Sequence, residues 1–325
     1  MTLLGQDRAI AAFRSALDSG TLHHAWLLAG PRGVGKGTFA RAAALRLLAE
    51  AAGPPVGLPG LEVPDDHRIG HLFRAGSHPD MRLLEREVWD KGPKKGELKR
   101  NITIDQVREM GELFSFAPSF SDWRVCIIDC MDELERNAAN ALLKLLEEPP
   151  GRSLFLLVSH SPGRLLPTIR SRCRRVDFPG LDDATLDTVL RAERPGLSDE
   201  ERARLIPLAG GSAGRALAFA ELDLAPLAED ALAILRSGDR DNARRGRLAS
   251  ALALKAAGPR YAAFLELVPS LIAGEARTAE GPRRQRAAEA YGKAQETASL
   301  APRLSLDPAA TVFSLATIMA EVGEG

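Results

Sequence analysis

Between a short apolar run and a helical stretch lies Gly30-Pro31-Arg32-Gly33-Val34-Gly35-Lys36-Gly37-Thr38, a segment whose spacing suits it to holding phosphate. It nearly matches GxxxxGK[ST]. In that pattern the glycines let backbone N–H groups turn inward, the following helix adds its positive end, and the lysine adds a point charge. The blander reading is a strand-to-helix turn with incidental glycines, but a lysine inside such a turn has no packing reason to be there. The departure from the pattern matters more than the match. The residue after Lys36 should carry a hydroxyl for magnesium, and here it is Gly37. Thr38 stands one step on, so its hydroxyl is turned about 100° round the helix. Phosphate binding survives that change; magnesium-assisted hydrolysis is what it puts at risk.

A second acidic position follows the run Val125-Cys126-Ile127-Ile128, where Asp129 ends an apparent strand in the manner of a Walker B element. In an active ATPase of the AAA+ class the next residue is usually a glutamate that polarises the attacking water. Here it is Cys130, and a thiol does not replace a carboxylate as a base at that distance and geometry. Asp132 and Glu133 are expected to face solvent at the start of the next helix. The two departures point the same way, to a site that holds nucleotide but hydrolyses it poorly.

The elements that must position these groups form an α/β pattern. A first helix is expected over residues 7–18, with Ile10, Phe13 and Leu17 on one face. The strand Ala25–Ala29 then feeds the glycine-rich turn and a helix to about Glu50, the opening of a nucleotide-binding α/β unit. Residues 51–66 are rich in Pro and Gly and read as loop, and residues 90–100 read as a solvated basic turn. A helix resumes at Ile104. The runs Val125–Ile128 and Leu154–Val158 do not alternate with polar residues, which predicts interior parallel strands. After Phe178 the chain reads as helices, the last of them capped by Asp307 with Pro308 at its first position. This gives one α/β domain, one small helical domain and one helical C-terminal domain.

Composition excludes several classes. Lys plus Arg and Asp plus Glu both total 43, so no net field draws the whole chain to nucleic acid or an acidic membrane. The odd cysteine set, Cys126, Cys130 and Cys173, lacks a CxxC pair and argues against a disulfide framework or a four-thiolate zinc site. His71, His78 and Asp80 lie close together in sequence, but surface histidines are the better reading than a metal site built from the three. The first residues are amphipathic and charged, no run is long enough to span a bilayer, and the cytoplasm is the expected compartment.

Three further segments carry a resemblance. Residues 137–150, NAANALLKLLEEPP, look like the NALLKxLEEPP signature of bacterial sliding-clamp loader subunits; Ser171-Arg172-Cys173 resembles their SRC motif; and His24-Ala25-Trp26-Leu27-Leu28 is similar to their HAxLL segment. The motifs cover roughly residues 1–220, and the helical tail matches by organisation only. Gly37 and Cys130 resemble the delta-prime type, the partner with a degenerate ATP site, rather than the gamma/tau motors.

This resemblance implies an AAA+ domain with a parallel sheet (1–178), a small helical lid (179–222) and an all-α collar (223–325). It implies a scaffold in a hetero-pentamer with gamma/tau and delta subunits, acting on the sliding clamp and primed DNA, within a DNA polymerase III complex whose overall chemistry is nucleotidyl transfer. Arg172 would be an arginine finger reaching a neighbour's ATP. Gly30, Gly33, Gly35, Lys36, Gly37, Thr38 and Asp129 would hold ATP or ADP, with Ser159 as sensor one and Arg215 as sensor two. Asn140 and Lys144, on the polar face of a helix whose apolar stripe is Ala138, Ala141, Leu142 and Leu145, would contact DNA phosphates. No zinc is expected. Two alternatives stay open: a hydrolysing gamma/tau-type motor and, far behind, a small-molecule phosphotransferase, since some kinases resembling adenylate kinase also read GKGT.

Overall fold

The computed structural model describes residues 3–91, 95–96 and 98–324. The chain divides into two compact units, Met1–Gly180 and Leu181–Gly325.

The first unit runs α1 (Asp7–Asp18), β1 (Ala25–Ala29), α2 (Lys36–Ala52), α3 (Arg68–Arg74), β2 (Met81–Leu84), α4 (Ile104–Glu112), β3 (Arg124–Asp129), α5 (Arg136–Glu147), β4 (Ser153–Ser159), α6 (Pro167–Arg170) and β5 (Arg174–Asp177). The strands form one parallel sheet in the order β2-β3-β4-β1-β5. From β1 the chain crosses to the far edge, returns strand by strand, and passes β1 again to finish at β5. Ala29 lies level with Ser159, and Asp129 with Val158, so the carboxyl ends of β1, β3 and β4 share one rim. Ligand crevices of open α/β sheets form at such a rim.

The two faces of the sheet have separate cores. Trp26, Leu28, Val125, Ile127, Leu156 and Val158 pack with Phe13 of α1 and Phe39, Ala43 and Leu47 of α2. The alternate residues Leu27, Cys126, Ile128, Phe155 and Leu157 pack with Val107 and Met110 of α4 and Ala138, Leu142 and Leu146 of α5. Strands buried on both faces need apolar residues at every position, which is why β1, β3 and β4 show no alternation.

Two helix faces pack inward as expected, with their most buried positions slightly to one side. In α1 the buried residues are Ala9, Phe13 and Ala16, with Ile10 and Leu17 on the flanks. In α5 they are Ala138, Leu142 and Leu146, while Ala141 and Leu145 are half-buried. The segment after α2 also holds more order than its Pro and Gly content suggests. The Arg46 side chain is 1% exposed and donates to the carbonyls of Val56, Leu58 and Glu62, pinning that loop onto α2. Strand β2 escaped the sequence reading because it is a four-residue edge with no apolar run, ordered by pairing with β3. The basic turn at 90–100 lies partly outside the described residues; within it Lys99 pairs with Glu87 at 2.6 Å and sits over the Trp89 ring.

The second unit is helical: α7 (Asp183–Glu193), α8 (Asp199–Ala209), α9 (Ala213–Glu221), α10 (Ala225–Ser237), α11 (Ala243–Leu252), α12 (Gly258–Thr278), α13 (Gly281–Leu304) and α14 (Pro308–Gly323). One apolar cluster connects Leu205 and Phe219 with Ile234, Phe264, Leu315 and Met319. The residue-222/223 division falls inside this unit. Helix α14 begins as the sequence predicts, with the Asp307 carboxylate accepting the Ala310 N–H at 2.8 Å and Pro308 in the first turn. Among the described residues no helix is long and apolar enough to cross a membrane.

Candidate phosphate-binding site

The loop between β1 and α2 is shaped by its glycines. At Gly30 a Cβ would stand 2.2 Å from the Phe178 carbonyl oxygen, so only glycine lets the loop leave β1 this close to the end of β5. Gly33 and Gly35 have φ of 76° and 99°, a backbone that side chains disfavour. Gly35 caps α2 and its carbonyl accepts the Phe39 N–H at 2.8 Å, which aims the helix start at the rim. The Gln6 side-chain amide donates to the Val34 carbonyl at 3.0 Å and braces the loop from outside.

Lys36, the first residue of α2, is 3% exposed. Its ammonium donates to the carbonyl of Gly30 at 2.6 Å and to that of Pro31, so the lysine lies folded over its own loop. Burial lowers its pKa to about 8, against the opposing charges of Cys130, Asp132 and Asp129.

At the end of β3, Asp129 is claimed from within the protein. Arg41, one turn along α2 from Gly37, donates Nη1 to its Oδ2 at 3.0 Å, and Nη2 lies 3.7 Å from Glu85. The pair fills the space beside Gly37: a Cβ there would meet Asp129 Oδ2 at 2.9 Å and Arg41 Nη1 at 3.1 Å. Cys130 is buried, and its thiol is pushed up to about 12, first by desolvation and then by Glu133 and Asp132. A neutral thiol cannot accept a proton from water.

Asp132 is exposed, as expected, and Glu133 is half-buried, but both have partners at the rim. Asp132 accepts from the Ser159 hydroxyl at 3.1 Å and from the His160 and Ser161 N–H groups at 2.6 and 3.0 Å, tying the end of β4 to the turn after β3. Glu133 is half-buried, which raises its pKa, and pairs with Arg86 at 2.9 Å. The short turn at Met131–Glu133 accounts for these contacts, because it swings both carboxylates back over the rim before α5 starts. His160 joins them there, its pKa lowered to about 4 by burial and then by Lys36.

Gly30, Gly33, Gly35, Lys36, Gly37, Asp129 and Ser159 thus meet at one rim, and Thr38 follows half-buried on α2. Beside the loop a cavity of about 580 Å³ opens between Gln6, Asp7, Arg8, Gly30, Pro31 and Phe178. Arg172 lies elsewhere on the first unit, just past α6; it donates to the Thr168 carbonyl at 3.0 Å and pairs with Glu147 at 2.8 Å. Asn140 and Lys144 are exposed on α5. Arg215 belongs to the second unit, where its guanidinium donates to the Ala209 carbonyl at 3.2 Å and to Ser270 Oγ at 2.7 Å, linking α9 to α12. Of the two histidines expected at the surface, His71 is exposed but His78 is 2% exposed, packed edge-on to Phe120. Asp80 is equally buried and accepts the Ser119 and Phe120 N–H groups, a structural role. No group of three or more His, Cys, Asp or Glu among the described residues is placed to hold a metal ion.

Sequence reading missed Arg41 and His160 and gave Asp132 and Glu147 no partners. Arg41 did carry a signal, a long cation one helical turn after a glycine that stands where a hydroxyl belongs, and Glu147 lies within the NALLKxLEEPP-like segment.

The family described as DNA polymerase III, delta subunit, matches residues 5–182. The delta-prime subunit of DNA polymerase III from Pseudomonas aeruginosa is 37% identical over 195 residues, 58% of this chain and 53% of that protein. The gamma/tau subunit from Mycobacterium bovis is 32% identical over 216 residues, 66% of this chain and 35% of that protein. The matched region therefore spans about half or less of these curated relatives. Among solved structures, a DNA polymerase III gamma subunit-related protein from Thermotoga maritima aligns over 97% of this chain and 99% of its own, with 17% identity and a TM-score of 0.45.

Proposed function

The chain belongs to the DNA polymerase III delta subunit family, and from that premise we propose that it is a delta-prime-type subunit of the sliding-clamp loader, a scaffold that holds nucleotide without turning it over. The observation that carries this reading is the end of β3, where Asp129 is bound to Arg41 and followed by a buried thiol instead of a carboxylate. Lys36 and the loop N–H groups retain what phosphate binding needs, whereas the base and the metal-binding hydroxyl are missing. Ser159 would sense the terminal phosphate, and Arg215 would serve as sensor two in a lid at 179–222.

Catalysis would be completed next door. In this reading Arg172 reaches the ATP of a neighbouring gamma/tau subunit, where a guanidinium on the transferring phosphoryl group is worth about 10³–10⁵ in rate. Its position supports that role: on the surface of the unit, partly exposed, with its fork held by Glu147. Residues 223–325 would form the collar that joins the hetero-pentamer. The exposed Asn140 and Lys144 would line the path of primed DNA as the clamp is loaded, in the cytoplasm.

Similarity to gamma/tau subunits keeps a motor as the second reading. Co-purification with gamma/tau and delta subunits, followed by stoichiometry, separates the two. The scaffold reading expects one copy per pentamer and no magnesium-dependent ATP turnover by the chain alone. Brisk turnover alone, or failure to join the assembly, would overturn it.

A further inference from the structure

A hydrolysing P-loop site holds magnesium with the hydroxyl after its lysine and with the acid at the end of β3. The residues here do not fit that ion. Gly37 offers no hydroxyl, and a side chain at this position would need the Arg41–Asp129 pair to move, its atoms lying 2.9–3.1 Å from where the Cβ would stand. Asp129 Oδ2 already accepts from Arg41 at 3.0 Å. The other acids at the rim are engaged too: Glu85 lies 3.7 Å from Arg41, Glu133 pairs with Arg86 at 2.9 Å, and Asp132 takes three donors from the end of β4. A magnesium ion would have to give up tightly held water to share a carboxylate already bound by a guanidinium, without the usual second ligand.

We propose that Arg41 takes the electrostatic place of the divalent cation, so that the loop binds nucleoside di- or triphosphates in their metal-free form. A guanidinium is always charged in proteins and presents donors in a fixed fork that suits phosphate oxygens. Held on Asp129, it also keeps that negative charge from facing the incoming phosphates. Lys36 needs only to exchange its two loop carbonyls for phosphate oxygens. Such a site is indifferent to magnesium, in keeping with a nucleotide that is structural rather than spent. This inference rests on the loop being a nucleotide cradle with a degenerate metal position.

The test is the affinity of the full chain for ADP and ATP, read by titration of a fluorescent analogue in excess EDTA and again in millimolar magnesium. The wild-type dissociation constants should agree within about twofold between the two conditions. Arg41→Ala should weaken binding in EDTA by about tenfold or more, the scale of one hydrogen bond to a charged group. Magnesium should then recover part of that loss by occupying the freed Asp129. Arg41→Gln, which keeps most of the side-chain volume, provides the second variant should Arg41→Ala lose its cooperative melt, and it should weaken metal-free binding to a similar extent. A tenfold tightening of wild-type binding by magnesium, no binding in EDTA, or metal-free affinity unchanged in a folded Arg41 variant would each overturn the proposal. Assembly with partner subunits is measured separately, so either result can fail without the other.

Discussion

Nη2 of Arg172 lies 2.8 Å from Oε1 of Glu147, an ion pair joining two sequence motifs that stand 25 residues apart in the chain. Glu147 is the last residue of α5, and Arg172 follows α6 by two positions. The carboxylate therefore sets where the guanidinium points, while leaving much of it open to solvent.

Removing Arg172 should accordingly cost little stability. An exposed ion pair is worth about 0–1 kcal/mol, so Arg172→Ala should melt close to wild type. In a reconstituted loader the same change should lower ATP hydrolysis at the one neighbouring site by about 10³-fold, seen as a partial loss of total turnover. Arg172→Lys should fail to restore it, because an ammonium lacks the planar fork. Glu147→Gln should give an intermediate loss. Unchanged turnover in Arg172→Ala would remove the finger assignment.

Repairing the home site should require three changes rather than two. Gly37→Ser with Cys130→Glu restores the missing groups on paper, but the serine Cβ would meet the Arg41–Asp129 pair. That double variant should still show no ATP turnover, because Arg41 remains bound to Asp129. Adding Arg41→Ala should relieve the clash and release Asp129, and magnesium-dependent hydrolysis should then rise above background. Steady-state turnover of the three purified chains compares these directly.

Nucleotide affinity should fall as pH rises above about 8, where the buried Lys36 loses its proton. At its steepest the decline is about tenfold per pH unit, and Lys36→Arg should shift it beyond the accessible range. The effect on stability has the opposite sign. The folded-state pKa lies below the ordinary 10.5, so the unfolded chain holds this proton more tightly. Stability is burdened by the charged, buried lysine below about 8 and regains that contribution as pH rises from there towards 10.5. Titration of binding and of thermal melting from neutral to mildly alkaline pH reads both slopes.

Two glycines should respond in opposite directions. Gly30→Ala places a Cβ 2.2 Å from backbone at Phe178, which must shift; a loss of about 3 kcal/mol or more is expected. At Gly274, inside α12, a Cβ meets nothing within 4 Å, and Gly274→Ala should stabilise by about 0.5–1 kcal/mol. Denaturant unfolding of both variants checks the pair.

The amino-acid sequence by itself determined the α/β class, the interior strands β1, β3 and β4, the position of the glycine-rich loop and the start of α14. Each of these is a local property: apolar runs, glycine spacing and capping residues act within a few positions of one another. The two missing groups, at Gly37 and Cys130, were legible for the same reason. Only the tertiary structure decided which partner each charge takes. Arg41 and Asp129 stand 88 positions apart and meet because α2 packs across the end of β3. Asp132 stays exposed yet finds its partners for a like reason, since the end of β4 presents two N–H groups and a hydroxyl that a sequence cannot place beside it. Charged side chains find their partners through packing of distant elements, and that information is spread over the whole sheet rather than written beside any one residue.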